Sequence, residues 1–178
     1  TPARRHAMST PTTLRAPGIA ILCADGAVPA VGHTTWNQVA RLGEFKGHPQ
    51  GAFAFTPEVF AELIANFAET ANGRVPVDYE HTSELLPDNA AQEGVPAVAW
   101  VVALDDRGPD GLWGAFEWVD AQAVEYVRAR RYLYLSPAVH FDATHRESGE
   151  AIGARLTSVA LTNHPFLDGM APLTASEP

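Results

Sequence analysis

Two residues of this chain have the types and settings that acyl-transfer chemistry needs. His81 follows Val75-Pro-Val-Asp-Tyr-Glu80, which reads as a strand, so its imidazole stands at a strand end, at the mouth of a polar loop. An imidazole that titrates near neutrality can take a proton from a hydroxyl and return it to a leaving amine. On this segment alone, an ordinary surface histidine beside two acids is the commoner outcome. Ser136 interrupts the dense apolar run from Tyr132 to Val139 and is followed by Pro137. A buried serine needs a partner, and a proline inside a strand marks an edge or a break in pairing. Both features fit a nucleophile at the rim of a sheet, and both fit a strand that merely ends there. Pro137 has no N–H, so the amide after the serine cannot serve as an oxyanion donor.

Ser158 lies in Leu156-Thr-Ser-Val-Ala-Leu-Thr-Asn163. If that strand pairs beside the one carrying Ser136, its hydroxyl is a candidate third member that orients the histidine. The plainer alternative is a strand serine bonded to its neighbours.

Metal chemistry competes for the same residues. Asp78 and Glu80 alternate along the strand before His81 and share a face, which suits orienting the histidine or holding a cation weakly; a solvated acidic face is the commoner case. Glu80-His81 has no second histidine at helical spacing, and His140 and His145 flank a polar turn, so no zinc pattern is present. There is no phosphate-binding glycine loop and no Gly-x-Ser-x-Gly elbow. No cofactor is expected.

The elements that must position these residues follow from pattern. Ile19–Cys23 is a short apolar strand, and residues 28–50 read as irregular apart from a short edge strand near Trp36. Thr56-Pro57-Glu58 starts a helix with a cap, a proline at the first helical position and an acid in the first turn. Val59, Phe60, Leu63, Ile64 and Phe67 supply its apolar stripe, and Gly73 its stop. A strand over 74–79 leads to a polar loop over 82–94, long enough to act as a flap. Strands over 95–104 and 112–118 form a hairpin. Asp120 caps a second helix with Ala123, Val124 and Val127 on its apolar face, ending near Arg131. Strands over 132–141 and 151–162 complete the chain. The order lacks regular βα alternation, which argues for an α+β fold with a mostly antiparallel, barrel-like sheet and helices on its outside.

The bulk properties narrow the function. The chain has 178 residues and 46% hydrophobic content, enough for one packed domain. The expected division is a leader over 1–16, a single domain over 17–173 and a frayed tail over 174–178. Twelve basic against 21 acidic residues give a net charge of −9, the wrong balance for nucleic acid. Arg128, Arg130 and Arg131 close a helix, where cations complement the dipole. The single Cys23 excludes an intramolecular disulfide and reads as a buried structural thiol. No apolar segment is long enough to span a bilayer.

Taken in order, Val75-Pro-Val-Asp-Tyr-Glu-His81, the Trp100 strand, Asp110-Gly-Leu-Trp113, Glu117-Trp118, Tyr134-Leu-Ser-Pro137 and Ser158-Val-Ala-Leu-Thr-Asn-His-Pro165 resemble the I protein of Mu-like phages, over about 17–173. That family is similar to head-maturation proteases joined to a scaffold segment, and distantly to other prohead proteases and herpesvirus assemblins. The resemblance implies a herpesvirus-protease-like barrel surrounded by helices, with Ser136 as nucleophile and His81 as general base. It implies a serine endopeptidase that cuts scaffold and major capsid protein, itself included, inside the procapsid in the host cytoplasm, as a homo-oligomer such as a dimer. The scaffold segment would follow residue 178. Where related proteases carry a histidine or a glutamate before a Val-small-Leu segment, this chain has Ser158, leaving Glu80 and Asn163 as alternatives for the third role. A non-catalytic scaffold-docking module and a metal-dependent hydrolase using Asp78, Glu80 and His81 are the rival readings.

Overall fold

Thr56 opens the first helix as its chemistry requires: its Oγ1 accepts from the Val59 N–H at 3.3 Å, and Pro57 fills a position whose amide would have no helical partner. The computed structural model describes residues 14–16, 19–21, 29–69, 73–85 and 94–173. Cys23, most of the expected leader and the tail over 174–178 lie outside them.

In chain order the elements are β1 (Leu14–Ala16), β2 (Ile19–Ile21), β3 (Thr34–Ala40), β4 (Gly43–Phe45), β5 (Phe53–Phe55), α1 (Pro57–Phe67), β6 (Val75–Tyr79), α2 (Thr82–Leu85), β7 (Ala99–Asp106), β8 (Leu112–Trp118), α3 (Ala121–Arg128), β9 (Tyr134–Thr144) and β10 (Ala151–Thr162). β1 pairs with β2 and β4 with β5 in small antiparallel ribbons. The other six strands form one sheet in the order β3-β8-β7-β6-β10-β9. Its neighbours are antiparallel except β6 and β10, which run parallel with Val77 opposite Val159, Asp78 opposite Ala160 and Tyr79 opposite Leu161. The sheet is therefore mixed. It curls far enough to bring its edge strands β3 and β9 near one another without joining them in a ladder.

Alternation decides which side of each strand faces the core. Val75 and Val77 of β6, Leu135 of β9 and Val159 and Leu161 of β10 point inward and are almost fully buried. They pack with Phe60, Leu63 and Phe67 of α1 and with Ala123, Val124 and Val127 of α3. Asp120 caps α3 through a 2.6 Å bond from the Ala123 N–H to its Oδ1. Polar groups fix how α1 docks: Asn66 Nδ2 donates to the Ile152 and Ala154 carbonyls at 2.8 Å, and Glu62 accepts from the Ala154 N–H at 2.8 Å.

Several expectations need correction. The edge strand expected near Trp36 is present as β3, last in its sheet and paired with β8, but it is seven residues long, and β4 follows it, so residues 29–50 are more regular than expected. The full length of β3 escapes pattern reading because both its faces are covered, with Trp36 packed outward against Ala115 while Val39 faces inward, so it shows no apolar–polar alternation. The polar loop after His81 contains α2. β7 begins at Ala99, later than the apolar run suggests. Helices do not surround the sheet: among the described residues, only α1 and α3 exceed a single turn.

Asn66→Leu removes the amide that donates to two carbonyls of β10. It is expected to cost about 2 kcal/mol, read as a lowered urea midpoint.

Candidate active site

The face of β6, β10 and β9 opposite the core carries the candidate chemistry. Asp78 stands opposite Ala160, and Ala160 stands opposite Ser136, so the three lie in one row across adjacent strands and project to the same side. Ser158 lies two residues from Ala160 on that face, opposite Ala138. The expected pairing of the Ser136 and Ser158 strands is therefore present. Ser136 is 7% exposed, and its hydroxyl has no hydrogen-bond partner among the described residues.

His81 sits in a turn of unusual backbone. Glu80 and His81 are consecutive non-glycine residues in the left-handed region, at φ 53° and 57°. Such residues each cost on the order of 1–3 kcal/mol and persist only where their surroundings hold them. Here the surroundings are dense. Ser83 N–H donates to Asp78 Oδ2 at 2.7 Å, and the Thr82 hydroxyl donates to the Tyr79 carbonyl. Glu80 N–H donates to the Leu161 carbonyl at 3.1 Å, and the His81 carbonyl accepts from Glu84 and Leu85. Side chains also tie the turn to β10: Thr162 Oγ1 donates to Glu80 Oε2 at 2.7 Å, while Thr157 and Ser158 donate to Glu84 Oε1 at 2.7 and 2.8 Å.

The structure thus brings Ser136, Ser158 and the His81 turn to one side of the sheet, but no hydrogen bond joins His81 to either serine. Ser158 spends its proton on Glu84. Catalytic contacts are commonly loose before substrate is bound, so this geometry excludes neither role. Asn163 instead donates from Nδ2 to the Arg131 carbonyl and accepts from the Leu133 N–H, a structural tie across the start of β9.

Two features escaped sequence reasoning. Asp78 is not part of a solvated acidic face but is 2% exposed, with Oδ1 buried and without a partner. Glu84 looked like one more polar loop residue. The Thr-Ser-Glu run after His81 was the available signal for a short helical turn, and Asp78 preceding it by a few residues was the signal for a cap. Among the described residues, no group of three or more His, Cys, Asp and Glu side chains is arranged to hold a metal ion.

Beside the row, an open depression of about 400 Å³ is lined by Tyr134, Asn163, His164, Leu167 and Met170. Tyr79 meets Tyr132 in a tilted arrangement at 5.2 Å between ring centres and Tyr126 edge-on at 6.3 Å. Burial pushes the Tyr79 phenol up to about 12, with Asp120, Tyr126 and Tyr132 adding to the effect.

The fold and site together define an α+β domain on a curled mixed sheet, with a strained histidine turn and a nearly buried serine on one side of it, the serine on the edge strand. The family model for the Mu-like prophage I protein, N-terminal domain, matches residues 37–174, and the chain belongs to that family. No curated protein and no solved structure matches it. The domain is therefore phage-related, and among its described residues no helix is long and apolar enough to cross a membrane.

The native state holds the Tyr79 proton above the ordinary phenol value, so this contribution to stability is complete below pH 10 and is lost as pH rises toward about 12. The urea midpoint is expected to fall across that window. In Tyr79→Phe, which loses a hydroxyl with no partner, the fall should be shallower, with little change near pH 7.

Proposed function

We propose that this domain is a serine endopeptidase of phage head maturation. The observation that carries the reading is the Ser136 hydroxyl: nearly buried, free of any hydrogen bond among the described residues, and on the same face as the turn that bears His81. In the proposed reaction, Ser136 Oγ attacks a peptide carbonyl while His81 takes its proton. His81 then protonates the leaving amine, and water hydrolyses the acyl-enzyme with His81 again as base.

The position of Ser136 on β9 supports an extended peptide as substrate. β9 is the last strand of its sheet, so one row of its backbone groups is left without a ladder partner and is suited to align a strand-like segment. The depression around Tyr134 and Met170, which reaches β9 two residues from Ser136, offers room for a substrate side chain. Because Pro137 offers no N–H, the oxyanion must be met by donors other than the following amide. The substrates proposed are scaffold and major capsid protein, with self-cleavage, inside a procapsid where copies of the domain are concentrated. The barrel-like architecture is proposed to be of the herpesvirus-protease kind, and dimerisation is proposed as its means of completing the site.

A second reading is a non-catalytic docking module that holds scaffold inside the procapsid. The engagement of Ser158 with Glu84 favours it, since that hydroxyl is then not directed at His81.

Intact-mass analysis of a chain extended by its native downstream segment separates the two readings. Self-trimming is expected in the wild type, with loss of at least about 10³-fold in Ser136→Ala and in His81→Ala. Equal masses for all three after long incubation would replace the protease with the docking module.

A further inference from the structure

We propose that Asp78 is the carboxylate that positions His81 and stabilises its charged form, and that Glu84 and Ser158 are a clamp for the turn rather than members of the proton-transfer chain. The inference rests on the protease reading of Ser136 and His81.

Burial is the first ground. A carboxylate 2% exposed has left water, and an oxygen left without any donor in such a place is costly. Asp78 Oδ2 is satisfied by the Ser83 N–H, but Oδ1 is buried and has no partner among the described residues. An imidazolium or imidazole N–H would complete it.

Position is the second ground. The carboxylate of Asp78 bonds the amide five residues on, so the segment from Tyr79 to Thr82 is looped around it, and His81 lies within that loop. Across the sheet, the row Asp78, Ala160, Ser136 places an acid and a hydroxyl two strands apart with only a methyl between them. An imidazole with one hydrogen bond to each side spans about 7 Å, and strands two apart are separated by about 10 Å at their Cα atoms. The difference of about 3 Å is one that inclination of the two side chains toward each other would close.

The other charged groups near the turn are already committed. Glu80 accepts from Thr162, and Glu84 accepts from Thr157 and Ser158, which fixes both to β10. Both are exposed, where a carboxylate does little for an imidazolium. Asp78 is the acid whose desolvation makes its charge effective.

The test titrates the His81 imidazole by NMR, assigned with His81→Gln, in the wild type, Asp78→Asn, Asp78→Glu and Glu84→Gln. Asparagine preserves an oxygen for the Ser83 N–H, so the turn is retained, while the charge and the second acceptor are replaced by a neutral N–H donor. The midpoint of His81 is expected to fall by about one pH unit in Asp78→Asn. It should recover in part in Asp78→Glu and stay near wild type in Glu84→Gln. Self-cleavage should fall by about 10³-fold or more in Asp78→Asn, with its pH profile displaced in the same direction. A midpoint unmoved in Asp78→Asn, or moved equally in Glu84→Gln, overturns the assignment. If cleavage depends on Ser136 while the midpoint does not move, the protease reading survives and the role of Asp78 fails. If the midpoint moves while Ser136→Ala behaves as wild type, the coupling stands and the protease reading fails.

Discussion

The parallel pairing of β6 with β10 is the constraint on which the rest of the site depends. Every other neighbour in the six-stranded sheet is antiparallel. A parallel pair needs a long crossover, and here the intervening chain supplies the β7–β8 hairpin, α3 and β9 before β10 returns beside β6. The consequence is that β6 and β10 end together: Tyr79 is opposite Leu161, and both chains turn at the same edge of the sheet. The turn after β6 carries His81, and β9, joined to β10 along its other side, carries Ser136. A slip of one residue in this register would reverse the faces of Asp78, Ala160 and Ser136 relative to the core, so burial of Val77, Val159 and Leu161 specifies the site and the fold together.

The His81 turn shows how this constraint is turned into a fixed geometry. Two left-handed non-glycine residues in succession carry a strain of several kcal/mol, roughly doubling the single-residue cost of about 1–3 kcal/mol. Ordinary hydrogen bonds return about 1 kcal/mol each and those to charged groups about 1.5–3 kcal/mol. The bond to the buried Asp78 belongs to the stronger class, and those to the exposed Glu80 and Glu84, weakened by solvent, reach across to β10. Strain and compensation are therefore of similar size, and the conformation is held only while β10 lies alongside. A segment that folded without β10 would not keep it.

Much of this architecture was legible in the residues. The cap at Thr56, the cap at Asp120, the hairpin ending at Trp118 and the bounds of β10 follow from local chemistry that tertiary contacts do not override. The pairing of the Ser136 and Ser158 strands was anticipated as a condition for their cooperation. What escaped is non-local. β3 is covered on both faces, so its pattern carries no alternation. The burial of Asp78 depends on α2 folding back over β6, and nothing in Val75-Pro-Val-Asp-Tyr-Glu80 distinguishes a solvated acid from one covered by its own turn. The parallel step between β6 and β10 is likewise a property of the whole chain, since each strand reads the same in either direction.

The contrast between the acids near His81 is the last step. Glu80 and Glu84 have longer side chains, lie exposed on the turn and bond hydroxyls of β10, which is what anchoring requires. Asp78 is short, lies inside the strand and is closed off from water, which is what a sustained electrostatic effect on an imidazole requires, because solvent screens the same charge at the surface. A chain needing only to hold the turn could place an asparagine at 78, since the Ser83 N–H asks for one oxygen acceptor and not for a charge. An aspartate there carries a desolvation cost that this structural bond does not need. That surplus charge, three residues before a histidine and in a row with a serine hydroxyl, is the feature that structural needs alone leave unexplained.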